Sequence, residues 1–396
     1  MDFLKRTWAQ IDLDAIRHNY RLIRAAVRPE SKILSVVKAD AYGHGAIHVA
    51  NCLQQQGTDW FGVSNLDEAV QLRRNGISKP ILILSYTPPQ EVRHLAQLNI
   101  TQTVVGLSYA QELEDRARQA GVCIDVHVKV DTGMSRVGLM AQTQFEQQQT
   151  VDDVASICAM PHLHAKGIFT HFATADEQGD TFTVQQYQRF MQLIDALQQR
   201  GITFEIKHCC NSAATLLYPQ LQLDMVRPGL ILYGLLPASF MRQAGRWDLR
   251  AAMDLKTTVS LVKSVPQGTG FGYGQTYVAD TPMKVATVAI GYADGFPRLV
   301  SGKGHMLVNG VSAPLVGRVS MDQCMLDVTA VEGIEAGDVV TVFGRDNGSC
   351  LSVEEVSEWA QTISYETVCL IGKRVPRIYI DAGKPVAAVN YIIPEQ

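Results

Sequence analysis

Short apolar runs alternate with helix-like segments from the start of the chain to about residue 245. Eight of these runs are rich in β-branched residues and end in turn residues, as buried parallel strands do. Eight strand–helix alternations predict a (β/α)8 TIM barrel over residues 1–245. An open doubly wound sheet is the competing architecture, but it usually has a glycine-rich first turn, whereas the first run here leads into "KADAYGHG". The runs begin at Lys32, Trp60, Pro80, Thr101, Cys123, Ala165, Phe204 and Leu223.

After about residue 245 the sequence pattern changes to alternating predicted strands and tight turns. Asn309–Gly310 lies between two apolar runs, which is a strong signal for a β-hairpin. Ser352, followed three residues later by Glu355, predicts the capping box of one helix. Residues 246–396 are therefore expected to form a mainly β domain.

Charge and composition exclude several classes of partner. The net charge is -4, so the chain has no basic field for nucleic acid or a membrane surface, and a small-molecule partner fits better. The first residues lack the apolar core of a secretory signal, and no apolar stretch is long enough for a membrane helix. Eight scattered cysteines show no C-x-x-C spacing, so no metal site is predicted. We expect a cytoplasmic enzyme.

Polar residues follow several of the predicted strands. In a (β/α)8 barrel the catalytic groups come from the carboxyl ends of the strands, which share one rim. Taken singly, a lysine after a strand is more often a solvated charge, and a histidine is more often a structural group. Their expected convergence on one rim favours an active site. The candidates are Lys38, Lys129, Arg136, His171, Asn211, Ser212, Arg227 and Gly229.

Lys38 is the leading candidate nucleophile. A lysine amine attacks an aldehyde only when it is deprotonated, so its pKa must fall through burial or a neighbouring cation. The apolar run before Lys38 offers such a setting, and Tyr42 with the glycines after it suits a loop that grips an anion. Barrels often bind phosphate in the loops after their last two strands. Ser212, Gly229 and Leu230 are the candidates there, while Arg227 could face the ring of a cofactor.

Over nearly its whole length the chain resembles the bacterial alanine racemases. The matching stretches are "VVKADAYGHG", "VKVDTGMSRVG", "GIFTHFATAD", "CNSAA", "VRPGLILYG", "GYGQTY", "IGYADG", "VGRVSMDQC" and "SYE". The resemblance implies that Lys38 holds pyridoxal 5'-phosphate covalently and that Arg227 faces its pyridine nitrogen. The phosphate group would be held by Tyr42, Ser212, Gly229, Leu230 and Tyr365, and Asn211 would also bind the cofactor.

The resemblance also implies the remaining roles. Tyr273 would be the second catalytic base, oriented by His171, which in turn contacts Arg227. Arg136 and the backbone around Met321 would hold the substrate carboxylate, and Tyr292 would line the entrance. Lys129 matches a position that is often carbamylated in the family, which would give an anion that positions Arg136. The family further implies a homodimer whose active sites are each assembled from two chains.

The chemistry of racemisation agrees with these roles. A proton must leave one face of the α-carbon and another must return to the opposite face, which requires two opposed acid–base groups. Lys38 can serve one face, and Tyr273 can serve the other if donating groups lower the pKa of its phenol. Because Arg227 stays charged, it disfavours protonation of the ring nitrogen and makes the cofactor a weaker electron sink.

Four alternatives remain at this point. The nearest is a racemase for serine or for several amino acids on the same scaffold. A barrel-type pyridoxal phosphate decarboxylase needs a carboxylate at the ring nitrogen, where Arg227 is expected instead. A non-catalytic cofactor-binding protein has no need of the β domain with Tyr273. A hydrolase without a cofactor lacks a carboxylate pair or metal cluster at the strand ends.

Overall fold

The computed structural model describes residues 4–393, which form two compact units. The barrel unit comprises Ile16–Ala41 and Ala46–Arg250. The β unit comprises the described residues up to Ala15, the segment Tyr42–Gly45, and the chain from Ala251 onwards. The sequence-based boundary near residue 245 stays a prediction. These units differ from it by the two short N-terminal segments and by residues 246–250, which belong to the barrel unit.

Eight parallel strands close into a barrel within the described part of the chain, as the sequence predicts. Each pairs with its neighbours in chain order, and the last strand pairs back onto the first. After β1 (Thr7–Asp12) of the β unit, the barrel strands are β2 (Lys32–Val36), β3 (Trp60–Val63), β4 (Ile81–Ile83), β5 (Ile100–Val104), β6 (Ile124–Asp131), β8 (Leu163–Phe169), β9 (Ile206–His208) and β10 (Met225–Val226), with the short β7 (Leu139–Met140) beside β6.

Helices follow these strands and pack on them through apolar faces. The side chain of Asp12 accepts a hydrogen bond from the N–H of Ala15 and so caps the first helix. Thr143 and Glu146 form a capping box at another. The helices are α1 (Leu13–Ala26), α2 (Lys38–Tyr42), α3 (Ala46–Gln55), α4 (Leu66–Arg74), α5 (Val92–Gln97), α6 (Leu107–Ala120), α7 (Gln144–Cys158), α8 (Phe182–Gln199), α9 (Ser212–Leu217) and α10 (Ser239–Gln243).

Element α2 has the opposite hand from the other helices. The φ angles of Ala39, Asp40, Ala41 and Tyr42 all lie between 52° and 53°. This is the left-handed helical region, which costs an L-residue other than glycine roughly 1–2 kcal/mol. The turn that follows Lys38 is therefore a conformation that the surrounding structure imposes, since its alanines would favour a right-handed helix.

The β unit is built around one mixed sheet, as the sequence predicts for the second half of the chain. Its long strand β11 (Met253–Val265) pairs with three other strands of the sheet. The further strands are β12 (Gly270–Phe271), β13 (Tyr277–Val278), β14 (Met283–Val288), β15 (His305–Val308), β16 (Val311–Val316), β17 (Cys324–Asp327), β18 (Val339–Asp346), β19 (Ser349–Leu351), β20 (Arg377–Asp381) and β21 (Lys384–Val389), and the helices are α11 (Val353–Trp359) and α12 (Ser364–Cys369).

Two local predictions for this unit are confirmed. Strands β15 and β16 form a hairpin in which Val308 pairs with Val311. The two residues between them, Asn309 and Gly310, have φ angles of 51° and 80°, as a type I′ turn requires. Ser352 and Glu355 form the expected capping box at the start of α11. No helix within residues 4–393 is both long and apolar enough to cross a lipid bilayer.

Candidate active site

Lys38 begins the left-handed turn at the carboxyl end of β2, and backbone hydrogen bonds within the barrel unit hold this turn in place. The N–H of Ala39 donates to Glu68 Oε1 at 2.8 Å. The N–H of Ala46 donates to Asp40 Oδ1 at 2.7 Å. Lys38 itself is half-buried. Its side chain therefore leaves the strand end in a direction that the backbone fixes.

Arg227, directly after β10, is the centre of a buried hydrogen-bond network. Its Nη1 donates to His208 Nδ1 at 2.8 Å, and its Nη2 lies 3.2 Å from His171 Nδ1. The same Nη2 donates to the carbonyl oxygens of Thr170 at 2.9 Å and Cys209 at 3.0 Å. The partners of the guanidinium are thus two imidazoles and two carbonyls. The predicted contact between Arg227 and His171 is present.

The charge on Arg227 controls the ionisation of its neighbours. Burial lowers the pKa of Arg227 itself to about 10, so the guanidinium still carries its proton at neutral pH. Burial and the positive charge of Arg227 hold the pKa of His171 well below its usual value. The pKa of His208 is lowered for the same two reasons. Both imidazoles are therefore neutral, and each offers one nitrogen as an acceptor.

Lys129 and Arg136 lie at the carboxyl end of β6, where Asp131 holds the loop between them. The carboxylate of Asp131 accepts hydrogen bonds from the N–H groups of Gly133, Ser135 and Arg136. Burial, followed by the charge of Arg227 and reinforced by Arg136, lowers the pKa of Lys129 to about 7, against the opposing effect of Asp131. Lys129 is buried and donates one hydrogen bond, to the carbonyl oxygen of Val130 at 3.1 Å.

The ends of β9 and β10 are joined by a small polar group. Asn211 accepts a hydrogen bond from the N–H of Ala214 and caps α9. The hydroxyl of Ser212 accepts one from the N–H of Gly229 at 2.9 Å. Leu230, which follows, begins a 3-10 helix. Two turns with backbone N–H groups at their starts are thereby brought together, as the sequence predicts for the loops after the last two strands.

Two functional candidates escape the sequence reasoning, namely His208 and His127. His208 is the last residue of β9, three residues before Asn211, the first candidate at this strand end. His127 lies in the middle of β6, inside an apolar strand. The signal that could have found them is a polar residue at a fully buried strand position, which needs a hydrogen-bond partner in the core.

Three of the predicted residues lie on exposed loops of the β unit. Tyr273 stands at the tip between β12 and β13, and 72% of its surface is exposed. Beside it lies a cavity of about 470 Å³ that is also lined by Ser320. The segments of Tyr292 and Met321 are adjacent, because the N–H of Tyr292 donates to the carbonyl oxygen of Ser320 and that of Ala293 donates to Met321. The side chains of Tyr292 and Met321 are 42% and 53% exposed.

The remaining two predicted residues lie together in the β unit. The ring centroids of Tyr42 and Tyr365 are 6.0 Å apart. Burial raises the pKa of the Tyr42 phenol well above its usual value, and the neighbouring Tyr365 adds to the shift. Tyr42 is therefore a neutral hydroxyl that can donate a hydrogen bond.

Comparison with known proteins identifies the family. A family model described as the N-terminal domain of alanine racemase matches residues 11–237, and one described as its C-terminal domain matches residues 252–379. The chain belongs to the alanine racemase family. The alanine racemase of Desulforamulus reducens is 44% identical over 94% of this chain and 98% of its own length. That of Methanococcus maripaludis is 42% identical over the same shares.

Solved alanine racemases have the same fold along almost the entire chain. The alanine racemase of Clostridium difficile 630 superposes with a TM-score of 0.92 at 37% identity, covering 99% of this chain and 100% of its own. That of Bacillus anthracis, solved with bound L-Ala-P, also has a TM-score of 0.92 and is 36% identical, covering 99% of each chain. The resemblance found in the sequence is thereby confirmed.

Proposed function

We propose that this chain is an amino-acid racemase that interconverts L- and D-alanine with pyridoxal 5'-phosphate and so supplies D-alanine. The observation that carries this conclusion is the contact between the buried Arg227 and the half-buried His171 at the barrel rim, in a chain whose relatives are named alanine racemases. A serine or broad-specificity racemase is not favoured, since the relatives described above carry the name alanine racemase. Parallel assays with alanine and serine distinguish these activities.

The barrel rim fits the chemistry of pyridoxal phosphate. Lys38 offers an amine for the aldehyde, and the Ser212–Gly229 pair with Leu230 offers a hydroxyl and backbone N–H groups for the phosphate. Arg227 offers a donor for the pyridine nitrogen. Asn211, Tyr42 and Tyr365 belong to the same proposed set. When bound, the cofactor supplies an aldehyde for the amino group and a conjugated ring that withdraws electrons from the α-carbon.

Two residues of the chain move the proton in this proposal. Lys38 Nζ takes or returns the proton on one face of the α-carbon, and Tyr273 Oη does so on the other. His171 has its Nδ1 directed to Arg227, so its Nε2 carries a proton that it can donate to the Tyr273 oxygen. Arg136 and the backbone at Met321 hold the substrate carboxylate, and Tyr292 lines the entrance.

The chemistry at Arg227 favours racemisation over decarboxylation or transamination. A decarboxylase of this cofactor class needs a carboxylate that keeps the ring nitrogen protonated. The partners of Arg227 are instead imidazoles and carbonyl oxygens, which leave its positive charge uncompensated. A guanidinium in this state does not give up a proton to a pyridine nitrogen. Arg227 would therefore keep a bound cofactor a weaker electron sink, which would limit side reactions.

Borohydride reduction tests the assignment of Lys38. The purified protein should be yellow, and reduction should fix the cofactor to the peptide that contains Lys38. Lys38→Ala should abolish both the colour and the fixation, whereas Lys32→Ala, which removes an exposed lysine six residues earlier, should change neither. Fixation on any other lysine contradicts the proposal.

A homodimer with shared active sites and a cytoplasmic location complete the proposal. The exposed Tyr273, Tyr292 and Met321 support an interface on this face of the β unit, since large apolar groups are normally covered in the functional assembly. The scattered cysteines suit a reducing compartment.

Complementation tests the shared site. Lys38→Ala and Tyr273→Phe chains are inactive alone but are co-expressed in equal amounts. Random pairing makes half of the dimers mixed, and each mixed dimer has one intact site, so about a quarter of all sites should be active. Activity no higher than that of the separate variants, despite proven heterodimers, places both bases on one chain.

A further inference from the structure

His127 lies inside the barrel unit and contacts His208, which is one of the groups that surround Arg227. It is fully buried in β6, and its Nδ1 lies 2.9 Å from His208 Nε2. The backbone makes room for it at Gly167, where a Cβ would lie 2.5 Å from the Cε1 atom of the imidazole. The ring centroid of Trp60 is 5.4 Å from that of His127. The imidazole is therefore held in one place by its surroundings.

The protonated nitrogen of each histidine can be assigned by starting from Arg227. A guanidinium has only donors, so His208 Nδ1 must accept the hydrogen bond at 2.8 Å. A neutral His208 then carries its proton on Nε2 and donates it to His127 Nδ1. His127 must accept at Nδ1, so its own proton is on Nε2. Arg227 on one side of His208 and the acceptor His127 Nδ1 on the other therefore favour the same tautomer of His208.

The second ring nitrogen of His127, Nε2, is in a destabilising environment. This nitrogen is buried and has no hydrogen-bond partner within residues 4–393. A buried donor without a partner is destabilising, and an apolar side chain in the same space would remove that penalty. Burial and the nearby positive charge of Arg227 lower the pKa of His127 to about 3, so the ring stays neutral and adds no second charge.

We infer that His127 is a positioning residue, whose Nδ1 locks His208 in the tautomer that accepts from Arg227 and so aims the guanidinium. Without an acceptor at this position, the Nε2 proton of His208 has no partner. The other tautomer of His208 would direct an N–H at Arg227, and the two donors would repel each other. His127 acts on the reaction only through the role proposed for Arg227, so the inference rests on the proposed function.

Nitrogen NMR of the protein labelled with [15N]histidine tests the tautomers directly. At neutral pH, His208 and His127 should each show a protonated Nε2 and an unprotonated Nδ1, with and without pyridoxal phosphate. The spectra of the two His127 variants described below assign the His127 signals. A proton on Nδ1 of either ring, or a doubly protonated ring, overturns the inference. This result does not depend on racemase activity, so it is separate from a failure of the proposed function.

Two substitutions of equal shape test the consequence for the reaction. Asn and Leu have nearly the same size, but His127→Asn keeps an oxygen near the position of Nδ1, whereas His127→Leu has no acceptor. His127→Leu should lose about tenfold or more in kcat with KM for alanine within about twofold, the scale of one lost hydrogen bond. His127→Asn should restore most of kcat and the Nε2-protonated signal of His208.

Thermal unfolding of both variants separates this effect from packing, because both lose the same ring volume. Equal kcat values for His127→Asn and His127→Leu, at equal stability, contradict the positioning role. If His127→Leu does not fold, the tautomers of the unmodified protein decide the question. A wild-type protein that shows the expected tautomers but no racemase activity leaves the hydrogen-bond assignment intact and rejects the proposed function.

Discussion

We expect carbamylation of Lys129 from the electrostatics of the barrel rim. Carbon dioxide reacts only with the neutral amine, forming an N–C bond and releasing one proton. With a pKa of about 7, half of the Lys129 side chains are neutral at pH 7. With the ordinary value of 10.5, only about one in three thousand would be neutral. Burial, followed by the charges of Arg227 and Arg136, lowers this pKa, and the two positive charges attract the anionic product.

The assay is carbon NMR of the protein in [13C]bicarbonate. One carbamate signal should appear in the wild-type protein and be absent from Lys129→Arg, which keeps the charge but cannot be carbamylated. The signal should weaken as the pH falls below about 7, because protonation of the amine competes with the reaction. Removing carbon dioxide should raise KM for alanine by roughly tenfold, since Arg136 then loses an anionic partner.

Adding bicarbonate to the wild-type protein and to Lys129→Arg distinguishes carbamylation from a change in the charge at position 129. Bicarbonate should restore KM in the wild-type protein but leave Lys129→Arg unchanged. The absence of a carbamate signal at saturating bicarbonate and pH 8 refutes the reasoning, as does a signal of equal strength in Lys129→Arg.

Three further substitutions give distinct outcomes. Tyr273→Phe should slow exchange of the α-proton of L-alanine by ~10²–10⁴ while affecting D-alanine far less, and equal losses for both enantiomers contradict the two-base division. Arg227→Glu should lower the racemase rate while long-wavelength absorbance and slow transamination appear, and an unchanged spectrum with substrate means that Arg227 does not face the ring nitrogen. Gly167→Ala should lower the free energy of unfolding in urea by about 1–3 kcal/mol because its Cβ collides with His127, whereas Gly106→Ala, which meets no atom within 4 Å, should change it by less than about 1 kcal/mol.

The barrel was predictable from the sequence because its signal is local. Each of the eight strands is a short apolar run, and in parallel strands the residue after the run lies on the common rim. Lys38 and Arg227 could be selected in this way from position alone. The hairpin at Asn309–Gly310 was predictable for a similar reason, since a two-residue turn carries its own conformational requirement.

Features that depend on distant parts of the chain were not predictable. Strand β1 pairs with β11 and β20, which are far away in sequence, so nothing near Thr7 indicates its unit. The hydrogen bond from Arg227 to His208 requires two strand ends to be placed within 2.8 Å. Within an apolar strand, His127 fits the pattern of any core residue, and its importance appears only when its neighbours are known.

The left-handed turn after Lys38 has a consequence for the chirality of the chain itself. Its backbone is the mirror image of an ordinary helical turn, and that is the conformation which a D-amino acid adopts without steric cost. Ala39 has a φ angle of 52° and is exposed, so its side chain is not part of the packed core. A semisynthetic chain with D-alanine at position 39 should therefore be more stable than the natural one. D-alanine, the product proposed for this enzyme, would therefore fit the turn after Lys38 better than the L-alanine at position 39.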